Sequence, residues 1–386
     1  MAHRLSGPRF CLPAGLRAAW VEVDLDRLAA NVRCLRARAA GRPLLAMVKA
    51  DAYGHGAVEV SRRLAKEGVE RLGVAIPEEG HALRAAGIAL PILVLGAAEA
   101  SQLRAMADAG LTPAAYSERF LQAILEEGRR LGRPLPFHLK IDTGMGRLGI
   151  QPARLGEALR LVAAAKGAGT LEGVFTHLSC SDDPSDPHTA RQLALFEEAL
   201  RAVREAGFTS VLAHAANSGG LLDFPGSLFD LARPGIALYG MRPSAASRDA
   251  GLRPLLSFKT RLVLVKELPA GQSIGYGREF VASRPSRIGT IAAGYADGIS
   301  RMCWGRGHAL VRGAAAPYAG RISMDHSMID LTGVEPAEEG DEVVLIGEQG
   351  GAAVTADQFA AWSGTIAYEA LCRIGPRVPR FHHQRG

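Results

Sequence analysis

Residues 44–233 alternate between short apolar runs and longer stretches of helical periodicity, and this alternation constrains the fold more than any other feature of the chain. The eight candidate strands are 44–49, 71–76, 91–96, 111–116, 136–141, 171–177, 210–216 and 228–233. Stretches between them, such as 117–131 and 189–206, each present one apolar stripe at helical spacing. Eight strand and helix units in about 200 residues predict a closed TIM-like (β/α)8 barrel instead of an open doubly wound sheet.

A change of pattern near residue 242 predicts a second domain. The stretch 242–248 has the composition of a linker, and helical periodicity becomes rare after it. Short aliphatic or β-branched runs then follow, at 262–265, 288–292, 308–311, 318–322, 327–331 and 343–346. Their spacing is typical of a β-rich domain, with one late helix that starts at a capping box in 355–358. We therefore expect an α/β fold in which the barrel domain, residues 1–245, precedes a mainly-β domain, residues 246–386.

Composition and charge exclude several classes of protein. The chain has 386 residues, 48% of them hydrophobic, which is enough to bury the cores of two domains. The net charge is +6, but the arginines are spread along the chain beside Glu and Asp and form no basic cluster. Nucleic acid is therefore not expected as a partner. The five cysteines are scattered and form no C-x-x-C pair, which argues against disulfides and against a metal site. No apolar run is long enough for a membrane span and residues 1–19 lack a signal-peptide core, so no membrane partner and a cytoplasmic location are expected.

Polar residues follow the predicted barrel strands at their C-terminal ends, which converge on one mouth of a barrel. Lys49 ends the first strand and precedes a Gly-rich turn. The other residues of this rim are Lys140, Arg147, His177, His214, Asn217, Ser218 and Arg233. Any one of them could be structural, because strand-end lysines often only reach solvent and buried histidines are usually hydrogen-bonded core residues. Their coincidence on one rim favours a functional site.

Glycines beside this rim predict a place for a phosphate group. Gly219-Gly220 follows Ser218 and Gly235-Ile236 follows Arg233, so both segments offer backbone N–H groups to an anion. A lysine opposite such a cradle meets the requirement of a pyridoxal phosphate Schiff base, whose ring nitrogen needs an Asp or Arg partner. Arg233 is the candidate for that partner. An arginine there leaves the ring nitrogen unprotonated, which predicts restrained chemistry: removal and return of the proton on the α-carbon of an amino acid.

Four longer motifs resemble the alanine racemase family. They are the stretches 46–56, 138–149, 233–240 and 294–298. The motifs are long and stand in the family's order, and the similarity covers nearly the whole chain. The resemblance implies an N-terminal barrel with a C-terminal β domain, pyridoxal 5′-phosphate as the cofactor, and a homodimer with shared active sites.

The resemblance also implies two catalytic bases. Lys49 would carry the cofactor as an aldimine and, once freed, would act on the D-enantiomer, while Tyr276 of the partner subunit would act on the L-enantiomer. Two bases on opposite faces of a planar carbanion are the minimum for racemisation. The chain would then be an isomerase that interconverts L-alanine and D-alanine and supplies peptidoglycan precursors. Its sequence context alone would make Tyr276 an aromatic residue of a hairpin.

Further roles follow from the same resemblance. Arg147 would contact the cofactor and the substrate carboxylate, the Met324 backbone N–H would bind that carboxylate, and His177 would support Arg233. The phosphate-binding residues would be Tyr53, Ser218, Gly235, Ile236 and Tyr368. Lys140 corresponds to a position that some members carboxylate; unmodified, it would repel Arg147.

Two departures from the family pattern and three alternatives remain. Asp51 replaces the usual Asn, which would place a negative charge near Lys49 and raise its pKa, and the segment 301–306 is unfamiliar. The first alternative is a broad-specificity or serine racemase of the same fold. The second is a non-catalytic pyridoxal phosphate carrier, which would lack the β domain. The third is a decarboxylase of related plan, which would place a carboxylate where Arg233 is expected.

Overall fold

The computed structural model describes residues 17–334 and 336–384. They form two compact units: residues 24–255 with 383–384, and residues 17–23 with 256–382. Residues 1–16, which include Cys11, lie outside the described residues, while Cys34, Cys180 and Cys303 are free thiols. No helix in the described part of the chain combines the length and the apolar character that a membrane span requires.

The first unit is the predicted barrel. Seven parallel strands pair in chain order: β2 (Leu45–Met47), β3 (Arg71–Val74), β4 (Ile92–Val94), β5 (Leu111–Ala115), β6 (Leu135–Lys140), β7 (Gly169–Phe175) and β8 (Leu212–His214). The predicted eighth strand is reduced to the segment 230–234, which nevertheless bonds to both edges of the sheet. The Arg233 N–H donates to Ala216 O beside β8 (2.8 Å), and the Met47 N–H of β2 donates to Pro234 O (3.0 Å). These bonds close the barrel.

Helices follow the strands of this unit. Within the described residues they are α1 (Leu25–Arg38), α2 (Lys49–Gly54), α3 (Ala57–Lys66), α4 (Pro77–Ala85), α5 (Leu103–Asp108), α6 (Glu118–Leu131), α7 (Leu155–Ala164), α8 (His188–Glu205) and α9 (Ser218–Asp223). Their ends follow the capping rules: Asp24 accepts from the N–H groups of Asp26 and Arg27 at the start of α1. Helix α6 ends at Gly132, which adopts the left-handed conformation (φ 66°) that glycine tolerates.

The second unit is mainly β. Its strands are β1 (Ala19–Asp24), β9 (Leu256–Leu268), β10 (Ser273–Ile274), β11 (Phe280–Val281), β12 (Ser286–Ile291), β13 (His308–Val311), β14 (Ala314–Pro317), β15 (Ser327–Asp330), β16 (Glu342–Gln349), β17 (Ala352–Val354) and β18 (Arg380–His383). The main sheet has the order β14-β13-β16-β9-β1-β18, and β12 joins β9 to β15. Strand β1 was assigned to the barrel domain from the sequence, whereas its backbone pairs antiparallel with β9 in this unit.

Two sequence expectations for this unit need correction. The run 318–322 is not a strand, since only Tyr318 makes an isolated bridge, to Ile329. The late helix is two helices, α10 (Ala356–Trp362) and α11 (Ala367–Cys372), because Gly364 interrupts it with φ 70°. Ile366 lies at the break and is 63% exposed. The predicted capping box is confirmed by the hydroxyl of Thr355, which accepts the Gln358 N–H at 3.1 Å.

Candidate active site

Lys49 lies where β2 ends, at the start of a left-handed turn. Residues 50–53 all have φ between 52° and 55°. This conformation costs an L-residue roughly 1–2 kcal/mol, so four in succession make a strained segment. The turn brings Lys49 Nζ to 5.9 Å from the centroid of the Tyr53 ring. The sequence predicted a turn made by glycine, but the left-handed residues here carry side chains and precede Gly54.

Two carboxylates hold this turn in place. Glu79 accepts hydrogen bonds from the N–H groups of Ala50 (2.6 Å) and Ala75 (2.7 Å), which ties the turn to the residue after β3. Asp51 Oδ1 accepts the N–H of Ala57 (2.7 Å), the first residue of α3. A negative charge is favoured at that end of a helix by the macrodipole. The carboxylate that departs from the family pattern therefore serves as a cap for α3.

Hydroxyl and backbone N–H groups gather around Gly235. Ser218 Oγ accepts the N–H groups of Gly235 (2.9 Å) and Ala237 (3.3 Å). A Cβ atom at position 235 would lie 2.5 Å from Tyr53 Oη, so this approach requires glycine. Ile236 then opens a 3-10 helix, Ile236–Tyr239, and the first N–H groups of a helix have no partner within it. Because Ser218 Oγ accepts two of these N–H groups, the donors that suit a phosphate group are the Ser218 hydroxyl proton and the Ile236 N–H.

The loop 142–149 presents Arg147 and is folded by Asp142. Asp142 Oδ1 accepts the N–H groups of Gly144 (3.1 Å) and Gly146 (3.0 Å). Both glycines have positive φ, 134° and 69°, so the loop needs glycine at these positions to close around the carboxylate. Arg147 follows directly and is exposed. The motif thus fixes the backbone from which Arg147 extends.

Lys140, the last residue of β6, is a buried amine beside other cations. Its side chain is only 5% exposed, and its Nζ lies 5.5 Å from the centroid of the Phe175 ring. Burial, followed by the charges of Arg147 and Arg233, lowers the pKa of Lys140 to about 8. A substantial fraction of this amine is therefore neutral at pH 8, unlike that of an ordinary lysine.

His177 stands among positive charges at the C-terminal side of β7. Burial, and then the charges of Arg233, Arg147, Lys140 and Lys49, hold the pKa of His177 well below its usual value. The imidazole is therefore neutral at pH 7. The four cations that act on it form a positive field, which favours an anionic ligand.

Arg233 is a buried cation with no carboxylate partner among the described residues. It is 2% exposed, and its Nη2 donates to the carbonyl oxygens of Thr176 (2.8 Å) and Ala215 (3.0 Å). Its Nη1 donates to His214 Nδ1 at 2.9 Å. Burial lowers the pKa of Arg233 to about 9, so it is charged at neutral pH. Three of the five guanidinium N–H groups are engaged within the described residues, which leaves donors for a ligand.

The histidine that hydrogen-bonds Arg233 is His214. It stacks on the ring of Phe175, with 4.9 Å between ring centroids, and lies 2.7 Å from His138 Nδ1 through its own Nε2. The sequence predicts His214 on the barrel rim, whereas the family resemblance implied that His177 supports Arg233. Phe175 and His138 were not assigned any role, because a strand pattern shows burial but not which side chains meet inside a barrel.

The remaining predicted residues belong to the other unit. Tyr276 follows β10 and is 69% exposed, Met324 is 52% exposed, and Tyr368 on α11 is half-buried. Around Tyr276, Glu279 accepts a hydrogen bond from Trp304 Nε1 (3.2 Å) and pairs with Arg321. The unfamiliar segment 301–306 therefore braces the loop that follows Tyr276.

The fold and the barrel rim together define a class: a lysine-bearing (β/α)8 barrel with a C-terminal β domain. Comparison with protein-family models gives the same division. The model of the alanine racemase N-terminal domain matches residues 23–243, and that of the alanine racemase C-terminal domain matches residues 255–382. The chain belongs to the alanine racemase family.

Individual relatives are similar to this chain over almost its full length. The chain is 44% identical to the alanine racemase of Symbiobacterium thermophilum over 369 residues, which cover 95% of this chain and 98% of that protein. Among solved structures it is similar to the alanine racemase of Streptomyces lavendulae, with a TM-score of 0.91, 38% identity, and 97% and 98% of the two chains covered. The alanine racemase of Bacillus anthracis with bound L-Ala-P superposes with a TM-score of 0.91 at 34% identity, covering 97% of each chain.

Proposed function

We propose that the chain is an alanine racemase, an isomerase that interconverts L-alanine and D-alanine with pyridoxal 5′-phosphate as its cofactor. The observation that carries this proposal is the buried guanidinium of Arg233, which has no carboxylate partner within residues 17–334 and 336–384 and shares a barrel rim with Lys49. A buried cation is costly unless a partner satisfies it. A pyridine nitrogen, which accepts a hydrogen bond without adding charge, fits that need.

The residues of the barrel fit the rest of the cofactor. Tyr53, Ser218, Gly235 and Ile236 would hold the phosphate, since their hydroxyl and N–H groups converge where a Cβ at position 235 would not fit. Tyr368 is proposed for the same group. When bound, pyridoxal phosphate supplies an electron sink that stabilises the carbanion left when an α-proton is removed. Arg233, if it donates to the ring nitrogen, would limit that stabilisation.

The protein's own groups would move the proton. Lys49 Nζ would take or return it on one face of the α-carbon, and Tyr276 Oη would do so on the other. Arg147 and the backbone of Met324 would hold the substrate carboxylate, and His177 would remain neutral among the cations of the rim.

Several side chains of the β-rich unit support a homodimer in which Tyr276 serves the partner subunit's barrel. Large apolar or aromatic residues are exposed on this unit of the single chain: Tyr276, Tyr295, Met302, Met324 and Ile366. A second subunit would cover such groups. The supply of D-alanine for peptidoglycan precursors in the cytoplasm is proposed from the family resemblance.

The proposal is tested with the purified, pyridoxal phosphate-loaded protein in heavy water. Each alanine enantiomer is added separately, and optical rotation and α-deuterium are followed together. We expect the optical rotation to decay to zero whichever enantiomer is added, while one deuterium enters the α-position. Release of carbon dioxide, or rotation that persists without exchange, would contradict the proposal. Parallel incubations with L-serine measure the breadth of the substrate range.

A further inference from the structure

A chain of polar side chains runs inside the barrel from Arg233 to the opposite end. Arg233 Nη1 donates to His214 Nδ1 (2.9 Å), and His214 Nε2 lies 2.7 Å from His138 Nδ1. His138 Nε2 faces Glu172 Oε2 at 3.6 Å, and Glu172 Oε1 accepts from Arg71 Nη2 at 3.0 Å. Both imidazoles have no exposed surface. A barrel interior is usually filled with apolar side chains, so this row needs an explanation.

Hydrogen-bond chemistry gives this row one direction. Arginine can only donate, so His214 must accept at Nδ1. Burial, followed by neighbouring positive charge, keeps the pKa of His214 well below its usual value, so the ring is neutral and its single proton sits on Nε2. That proton is donated to His138 Nδ1, which leaves the proton of His138 on Nε2. The Glu172 carboxylate, 3.6 Å away, is too far for a hydrogen bond but favours this N–H electrostatically. Each ring therefore has one compatible tautomer.

The backbone is shaped to admit this row. In the pairing of β6 with β7, Phe137 is opposite Leu171 and His138 is opposite Gly173, so Glu172 is an extra residue. Such a bulge redirects a side chain that regular pairing would point elsewhere. A Cβ atom at position 173 would lie 2.4 Å from His138 Nδ1, so the imidazole occupies space that only glycine leaves.

We propose that Glu172 and His138 are positioning residues for Arg233, acting through His214. Arg233 sets the tautomer of His214, and the Glu172 carboxylate, 3.6 Å from His138 Nε2, favours the matching tautomer of His138. His138 then accepts from His214 Nε2 and holds that ring in line with the guanidinium. One guanidinium N–H stays engaged beside the two that donate to carbonyl oxygens, and the remaining donors are directed to the ligand. This inference rests on the proposed function, because it assigns Arg233 to the cofactor ring. The carboxylate of Glu172 lies at the far end of the row, two imidazoles away from Arg233.

Nitrogen NMR of the ¹⁵N-histidine-labelled full chain tests this assignment, because the shift of a ring nitrogen reports whether it carries the proton. Spectra are recorded before and after addition of pyridoxal phosphate, and His138→Gln and His214→Gln assign the signals. We expect wild type and Glu172→Gln, which keeps an oxygen facing His138, to hold both rings as the Nε2–H tautomer. Glu172→Leu removes that oxygen, and His138 should then show both tautomers while His214 keeps its proton on Nε2. Racemisation by Glu172→Leu should lose about tenfold in kcat with KM for alanine unchanged.

Glu118→Leu is the matched control, since Glu118 is similarly half-buried and pairs with Arg154 at 3.1 Å outside this row. It should change neither tautomer nor kcat. A folded Glu172→Leu protein with His138 still entirely Nε2–H would overturn the inference, as would wild-type His214 protonated on Nδ1. If Glu172→Leu does not fold, the wild-type and Glu172→Gln spectra still decide whether the row has the proposed direction. Wild-type protein that racemises no alanine would defeat the proposed function while leaving the tautomers readable.

Discussion

The amine of Lys140 is the group at the rim whose chemical state depends most on its surroundings. Burial beside Arg147 and Arg233 lowers its pKa to about 8, compared with 10.5 for an ordinary lysine. A neutral amine adds to carbon dioxide with loss of a proton and becomes a carbamate. That change would replace a like-charge contact with Arg147 by an attractive one. We therefore propose that Lys140 is carboxylated.

Carbon NMR in ¹³C-bicarbonate checks this prediction. Wild type should show one carbamate signal that is absent from Lys140→Gln and retained in Lys166→Gln, a substitution of an exposed lysine. The signal should weaken as the pH falls below about 8, because the protonated amine has no lone pair to add to carbon dioxide. A signal that survives Lys140→Gln would assign the carbamate to another lysine.

Among single residues, the sequence best predicted those whose role follows from the residue type and from a position at the end of a strand. Lys49, Ser218 and Arg233 could be placed on one rim because parallel barrel strands end together. The hydrogen-bond partner of Arg233 could not be chosen, because His177 and His214 both end strands and only their side-chain directions distinguish them. No sequence pattern indicated a role for Glu172, because the direction of its side chain depends on the bulge in β7.

The left-handed turn after β2 is the element whose conformation most affects the site. Ala50 is exposed, has φ 52°, and contributes its N–H to Glu79. Replacement by glycine relieves roughly 1–2 kcal/mol of steric cost. It also destabilises the folded state by roughly 0.5–1 kcal/mol, because glycine loses more backbone entropy on folding than alanine does. We therefore expect Ala50→Gly to raise the free energy of unfolding by about 0.5–1 kcal/mol, measured by urea denaturation.

The matched control is Ala123→Gly in the middle of α6, a right-handed helix. It should lower the free energy of unfolding by about 0.5–1 kcal/mol, because glycine only loses entropy there. The two substitutions are chemically identical and should have opposite signs. Destabilisation by both would show that the strain assigned to the turn is absent.

Elements were predictable where a local pattern decides them. The seven paired barrel strands and the cap of α10 follow from apolar runs and from a Thr-x-x-Gln spacing. The segment 230–234 does not form a regular strand, although its backbone hydrogen bonds still close the barrel. The break between α10 and α11 was missed, since a glycine inside a helical pattern can be tolerated or can end the helix.

At the scale of the whole molecule, the proposed catalytic groups are divided between two units. Lys49 belongs to the barrel unit and Tyr276 to the β-rich unit, where its side chain is largely exposed. The sequence alone would have made Tyr276 a hairpin aromatic, because nothing in a local pattern shows that a residue acts on another subunit. The resemblance to the family supplied that role.

We propose that each active site combines Lys49 of one subunit with Tyr276 of its partner. Lys49→Ala and Tyr276→Phe each remove one base and should be inactive alone. A heterodimer of the two has one site with both substitutions and one site with neither. Random pairing makes half of the dimers mixed, so a co-expressed mixture should recover about a quarter of wild-type racemisation. A dimeric mixture no more active than either variant alone would contradict the shared site.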